Sequence, residues 1–306
     1  MTIQDLQTHL QINTNNLTNE FKRLFHGRGE LFGEDWRFLT IDSIDDILSV
    51  AFYFPIEEEK ERELLDMIQN FIQGSRYTTL ILQRRYQDKS PTQILVGSLK
   101  DDLYVVENGL KIKLNLKSNQ NNGYFPDMKN GRAYIKSLSK DKKVLNLFSY
   151  TCAFSVAAMQ GGAIQVVNMD MAKNALNTGR ENHHINNIDT KKVKFYPHNI
   201  LKSFSRIKRD GPFEIVIIDP PTLQKGSFEA TKDYDKIIKR LDTFTSSDAI
   251  VLACLNSPNL DENFIIELFK EYAPSFKYIK RVENVEEFKS LDESRSLKNL
   301  VFQKMN

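Results

Sequence analysis

Ile3, Leu6, Leu10, Leu17, Phe21 and Leu24 recur at spacings of three, four and seven, so the pattern predicts residues 1–30 as helical with one apolar stripe. After the Gly27-Arg28-Gly29 break, Trp36 to Ile41 and Ile47 to Tyr53 are short, aromatic and branched, as strands are. A helix is expected from about Glu57 to Ile72, its opening acids placed where the helix dipole is positive. Thr78 to Leu82, Thr92 to Val96, Leu103 to Val106 and Leu110 to Leu114 again read as strands. From Lys143 onward the rhythm changes. Apolar runs at Val144 to Phe148, Ile164 to Met169, Val193 to Tyr196, Ile215 to Ile218 and Ile250 to Cys254 alternate with helical stretches at Phe154 to Met159, Ala172 to Ile185 and Tyr234 to Leu241. Alternating βαβ units with buried strands predict an α/β, mostly parallel, doubly wound sheet. Tyr278 to Val282 and Leu297 to Gln303, joined by a loop alone, predict an antiparallel hairpin at its edge. The expected division is a smaller α+β domain over 1–118 and the α/β domain over 119–306.

Composition bounds this picture without changing it. The 306 residues are 41% apolar and 27% charged, which suits two folded domains with real cores. The apolar run Ala249 to Leu255 falls far short of the ~20 residues that span a bilayer. No basic-then-apolar leader is readable at Met1-Thr2-Ile3-Gln4-Asp5, so a cytoplasmic chain is expected. Cys152 and Cys254 make neither a disulfide framework nor a Cys-x-x-Cys metal pair, and no metal is expected. The net charge of +2 says little, but its distribution says more. Lys191, Lys192, Lys194, Lys202, Arg206, Lys208 and Arg209 stand against Asp210 alone, an excess of six that suits either phosphates or a solvated face.

In open α/β sheets ligands sit beyond the carboxyl ends of the strands. The first such strand runs into Phe148-Ser149-Tyr150-Thr151-Cys152-Ala153, with no Gly-x-Gly-x-x-Gly to cradle a pyrophosphate. The second ends at Asp170, where a carboxylate can take ribose hydroxyls or cap the next helix. A nucleoside-bearing ligand without a pyrophosphate fits, and S-adenosylmethionine is one. The fourth ends in Asp219-Pro220-Pro221-Thr222, a stiff turn whose carbonyls are free to meet a planar base. The fifth ends with Cys254, either a buried small hydrophobe or a nucleophile.

The run Val144 to Thr151 with Phe154-Ser155 and Gly161-Gly162-Ala163, then Asp170, then Asp219-Pro220-Pro221-Thr222, resembles class I S-adenosylmethionine-dependent methyltransferases. More narrowly it resembles the bacterial 23S rRNA methyltransferases that modify cytosine C5 or guanine N7. Glu107-Asn108-Gly109-Leu110-Lys111 and Gly123-Tyr124-Phe125-Pro126-Asp127 through Arg132 extend the likeness over about residues 100–303. The resemblance implies a Rossmann-like methyltransferase sheet. It also implies that Phe148, Ser149, Tyr150, Thr151, Asp170, Met171, Asn199 and Asp219 hold S-adenosylmethionine: the first residues at its methionine part, Asp170 at the ribose, Asn199 beside the adenine. Asp219 and Pro220 would lie where donor and base meet. Some positions depart from the group, which usually carries glycines at Cys152 and Ala153, an aspartate at Asn199, and Gln-Arg after Asp127. An N-terminal PUA-type RNA-binding module, carried by the cytosine-C5 members, is not expected in a helical 1–30.

The acceptor decides the remaining chemistry. Cytosine C5 needs a thiolate to add at C6, which would be Cys254; guanine N7 needs none; an exocyclic amine needs an N–H acceptor, for which Asp219 and a proline carbonyl serve. The implied partner is RNA, rRNA in particular, met by Lys202, Arg206, Lys208, Arg209 and Arg132; no membrane partner is expected, and a homodimer is compatible. The rival readings are a nucleic-acid-binding protein that keeps the fold without catalysis, a methyltransferase of another acceptor, and a nucleotide-dependent oxidoreductase disfavoured by the missing glycine motif.

Overall fold

The computed structural model describes residues 1–15, 17–117, 121–221, 223–224 and 228–305. They form two compact units, Met1–Pro126 with Glu286–Asp292, and Asp127–Val285 with Glu293–Asn306. The expected boundary at 118/119 and Thr222 lie outside the described residues.

In the first unit, α1 (Ile3–Thr14) buries Leu6 and Leu10 and stops well short of the helix predicted over 1–30. Thr14 turns its hydroxyl back to the Leu10 carbonyl at 2.8 Å and Asn15 caps in an extended conformation, so the polar residues 13–15 end the helix. Leu24 therefore belongs to a strand. β1 (Lys22–His26) pairs with β2 (Leu39–Ile44), and a register shift between Arg23 and Phe25 lets both Leu24 and Phe25 be buried. β3 (Ile47–Phe52), α2 (Glu58–Ile72), β4 (Thr79–Arg84) and β5 (Thr92–Val96) complete a sheet in the order β1-β2-β3-β4-β5. α2 is amphipathic, with Leu64, Ile68 and Ile72 buried one turn apart, and it makes the crossover between parallel β3 and β4. β6 (Leu103–Glu107) and β7 (Leu110–Leu114) form a hairpin whose turn, Asn108-Gly109, has φ of 49° and 79°, the conformation an Asn-Gly pair adopts most readily.

The second unit runs α3 (Lys129–Leu138), β8 (Lys143–Leu147), α4 (Ala153–Gln160), β9 (Gln165–Met169), α5 (Lys173–Ile185), β10 (Val193–Tyr196), α6 (Phe204–Asp210) and β11 (Phe213–Ile218). The two-residue strands β12 (Leu223–Gln224) and β13 (Phe228–Glu229), α7 (Ala230–Ile238), β14 (Thr245–Leu255), α8 (Glu262–Tyr272), β15 (Phe276–Val282) and β16 (Lys298–Lys304) follow. The strand order is β10-β9-β8-β11-β14-β16-β15, with the first five parallel and β16 antiparallel to both its neighbours. This is the predicted α/β sheet with its C-terminal hairpin. Branched strand residues are buried on both faces: one core gathers Leu145, Val216, Ile218 and Val251 under α7 and α8, the other Val144, Ile215, Ile217 and Leu252 with Ile135 of α3. Among the described residues no helix is long and apolar enough to cross a membrane.

Candidate methyl-donor and acceptor site

The carboxyl ends of β8, β9, β10, β11 and β14 share one edge, and the predicted site residues follow them. After β8 the chain doubles back through Phe148, Tyr150 and Cys152, all non-glycine and all at positive φ (56°, 44° and 62°). Left-handed backbone of this kind costs of order 1 kcal/mol or more per residue, so neighbours must hold it. They do. Ser149 N–H donates to the Met169 carbonyl at 3.2 Å, Cys152 N–H to the Ser149 carbonyl at 2.7 Å, and the Asn182 amide to the Thr151 carbonyl at 2.9 Å.

Asp170, nearly buried, is the main brace. One carboxylate oxygen accepts from Tyr150 N–H at 2.9 Å and the other from Ala172 N–H at 2.8 Å, so a single side chain ties the loop after β8 to the turn that opens α5. It is not the N-cap of α5, which is Ala172, but braces the turn just before it, and each oxygen keeps a further lone pair for a hydroxyl. Cys152 is packing: it is fully buried, burial pushes its thiol up, and its sulfur sits where a Cβ on Gly179 would come within 2.5 Å.

A chain of buried side chains runs beneath this loop. Asn146 donates to Asn168 at 2.9 Å, Asn168 to Ser155 at 2.9 Å, Ser155 to His183 Nε2 at 2.8 Å, and His183 Nδ1–H to the Gly179 carbonyl at 2.7 Å. A carbonyl can only accept, which fixes the tautomer and the direction of every bond. Burial holds His183 down to about 4, so it stays neutral. The sequence analysis missed this network, yet it carried a signal: Asn146 and Asn168 interrupt two apolar runs and pair in register on adjacent strands.

Asp219 follows β11 in the row that holds Cys254 on β14 and Asn299 on β16, since Ile218 pairs with Ala253 and Cys254 with Asn299. Side chains alternate along a strand, so Asp219 and Ile217 share the face that carries α3. The residue is half-buried but its carboxyl is enclosed; burial first, and then the charge of Asp127, raise it to about 7, with Arg132 opposing. Pro220 is buried. Tyr234, fully buried, places its hydroxyl 3.2 Å from the Ile218 carbonyl and 3.1 Å from the Cys254 carbonyl, fixing the two strand ends.

One predicted residue stands elsewhere than expected, and another takes the first of its two readings. Arg132 is not on an RNA-facing surface: it is 3% exposed, over the Phe154 ring on α4 and within electrostatic reach of Asp219. Its charge acts on Asp219 instead. Cys254 is 1% exposed in the core beneath α3, and burial, Asp219 and Asp127 all push its thiol up, so nothing there favours a thiolate. On α6, Lys202 just before it, Lys208 and Arg209 are exposed; Arg206 stacks on Tyr196 at 4.8 Å and Lys194 pairs with Asp210 at 2.6 Å. Phe148 packs edge-on against Phe228, and Met171 is exposed beside Asp170.

The S-adenosylmethionine-dependent methyltransferase family matches residues 22–303. The chain belongs to that family. A Bacillus subtilis relative, YwbD, assigned by name to the ribosomal RNA large subunit methyltransferases, is 31% identical over 299 residues, 92% of this chain and 74% of its own. Ribosomal RNA large subunit methyltransferase I of Pseudoalteromonas translucida is 30% identical over 200 residues, 63% of this chain; that match spans 50% of the relative. In fold, the methyltransferase resembles SMU.776, solved as a complex with SAH, at a TM-score of 0.86 and 23% identity over 99% of this chain and 82% of that one.

The residues present fit the family's donor, S-adenosylmethionine. Asn199, after β10, has a buried side-chain oxygen with no partner, an acceptor of the kind an adenine amino group satisfies, and the Asp170 oxygens, each taken by one backbone N–H, keep lone pairs of the kind ribose hydroxyls use.

Proposed function

We propose that this methyltransferase transfers a methyl group to a base nitrogen of RNA, large-subunit rRNA in particular. The observation that carries the reading is the acceptor edge. Asp219 and the backbone of Pro220 offer oxygen acceptors beside Asp127 and Arg132, while the one cysteine of that row is sealed in the core. The two N–H bonds of an exocyclic amine donate to Asp219 and to the Pro220 carbonyl, which withdraws the nitrogen lone pair from the ring's π system; as the nitrogen is methylated, Asp219 takes the proton it sheds. The Asp170-braced loop with Phe148, Ser149, Tyr150 and Thr151 holds the donor's methionine part, with Met171 and Asn199 flanking the nucleoside. When bound, S-adenosylmethionine supplies a sulfonium-activated methyl. The protein's own share is alignment of nucleophile and methyl and a dry, fixed set of dipoles. Lys202, Lys208 and Arg209 face RNA phosphates, and Arg206 supports them from the Tyr196 ring. The names of the YwbD and Pseudoalteromonas relatives support ribosomal RNA as the acceptor class. The test is transfer of labelled methyl to rRNA from cells lacking the gene, followed by mass spectrometry of the nucleosides. An N-methylated base is expected; 5-methylcytosine would overturn the nitrogen acceptor, and unlabelled RNA would overturn RNA as substrate.

A further inference from the structure

A second gathering of cations and rings lies in the first unit, at the carboxyl ends of β3 and β4. The two strands run parallel with Phe52 beside Arg84, so Tyr53-Phe54 and Arg85-Tyr86 leave the sheet side by side. Phe54 is 51% exposed and Tyr86 38%. The Arg28 guanidinium lies over the Tyr53 ring, 4.2 Å from its centroid, and Arg85 lies 5.9 Å from the same centroid.

Arg28 is exposed but its backbone is pinned. A Cβ on Gly27 would meet the Trp36 carbonyl oxygen at 1.9 Å, and one on Gly29 the Lys289 carbonyl oxygen at 2.3 Å, so only glycines allow so close a seat on either side. Around the Tyr53 hydroxyl three cations, Arg23, Arg28 and Arg85, act against one acid, Asp42. Burial alone would push the Tyr53 hydroxyl up, yet Arg23, Arg28 and Arg85 outweigh it and hold the hydroxyl below its ordinary value. The acid that opposes them, Asp42, is engaged by Arg23 through two bonds of 2.6 and 3.0 Å.

A single exposed ring is ordinary. Two exposed rings just past neighbouring strand ends, with a pinned arginine and a second arginine on a shared tyrosine, have the make-up of a single-strand nucleic-acid platform. The planar guanidinium fork matches phosphate, and aromatic faces accept unstacked bases of any sequence. We propose that Arg28, Tyr53, Phe54, Arg85 and Tyr86 bind an unpaired stretch of the RNA substrate, arginines at phosphates and the Phe54 and Tyr86 rings against bases. This rests on the reading of RNA as acceptor.

The experiment measures binding of the whole protein to a single-stranded oligoribonucleotide by fluorescence anisotropy across a salt series. Calorimetric S-adenosylmethionine affinity is followed in parallel. Arg28→Ala should weaken RNA binding and reduce the slope of log K against log salt by about 0.7, the value of one phosphate contact on a single strand. Phe54→Ala and Tyr86→Ala should each lower RNA affinity by about tenfold and leave that slope unchanged. S-adenosylmethionine affinity should stay at the wild-type value in all three variants. If they bind the oligonucleotide as wild type does while the wild type methylates RNA, the platform is overturned and the function stands. A wild type that places no methyl on RNA overturns both. Preference for polyglutamate over RNA at the same patch would assign it to an acidic peptide instead, against the proposal.

Discussion

The pH behaviour of this methyltransferase should turn on Asp219. Its carboxyl is raised to about 7 from the ordinary 3.8, by burial first and by Asp127 second. A carboxyl whose folded pKa lies above its unfolded one holds its proton more tightly in the folded chain. Its contribution to stability is therefore full at low pH and is lost as pH climbs from about 4 to about 7. At 1.36 kcal/mol per pH unit that interval bounds the loss at about 4 kcal/mol, and half-burial brings the expected figure to roughly 2 kcal/mol. Urea unfolding from pH 5 to pH 8 measures it: wild type should lose stability relative to Asp219→Asn as pH rises. On the proposed function catalysis should move the opposite way, because there an ionised Asp219 accepts from the base N–H. The wild-type kcat/KM should rise through about pH 7. Removing the like charge in Asp127→Asn should move that rise to lower pH, and Arg132→Gln should move it to higher pH. Identical stability profiles for wild type and Asp219→Asn, together with an unmoved midpoint in Asp127→Asn, would refute the reasoning.

Other expectations are independent of that one. Asp170→Ala removes two charge-assisted bonds from a loop with three left-handed residues, so it should cost about 2 to 4 kcal/mol in unfolding free energy. The same change should weaken S-adenosylmethionine binding by about 1.5 to 3 kcal/mol; unchanged calorimetry would remove Asp170 from the site. Cys254→Ser should leave turnover near wild type, whereas a dead variant, with a covalent adduct to 5-fluorocytosine RNA in the parent, would restore the thiolate route. Neutralising Lys202, Arg206, Lys208 and Arg209 together should flatten the salt dependence of RNA binding; an unaltered slope would leave α6 a solvated face.

Much of the second unit was legible because its strands are buried on both faces and read as mostly apolar runs, each followed by a residue singled out as a candidate: Phe148, Asp170, Asp219. What sequence could not supply was depth. Cys254 lies at the expected strand end and on the face of Asp219, yet it is still inside β14, paired with Asn299 of β16, and packs in the core with Ile135 of α3, whereas Asp219 follows the last residue of β11. Arg132 reads as a cation in a polar segment, but the helix it sits on buries that face beside Phe154. In the first unit the apolar spacing of residues 3–24 satisfied a helix template although Asn and Thr between them favour side-chain bonds to backbone, and the partner strand that claims Leu24 lies some twenty residues on. Periodicity is local, whereas strand pairing is not. The platform on β3 and β4 was invisible for the same reason: Tyr53-Phe54 and Arg85-Tyr86 become neighbours only through a parallel crossover.

The loop after β8 offers the sharpest remaining test, because its shape is kept without the glycines that usually permit it. Cys152 adopts φ of 62° and its sulfur fills the space opposite Gly179. Gly179→Ala should gain about 1 kcal/mol of helix propensity, but its Cβ would press on that sulfur at 2.5 Å, an overlap that costs about 1 to 3 kcal/mol to relieve. Cys152→Gly relieves the left-handed backbone, worth about 1 kcal/mol, but leaves a void where the sulfur packed. Together the two changes exchange one side chain for the other: the alanine methyl occupies the space the sulfur leaves, the strain goes, and the propensity gain remains. The double variant should therefore be more stable than the sum of the singles by at least about 1 kcal/mol in a urea-unfolding double-mutant cycle. Strict additivity would show that the two residues do not touch in the folded chain, and that the loop keeps its left-handed path without the packing of Cys152 on Gly179.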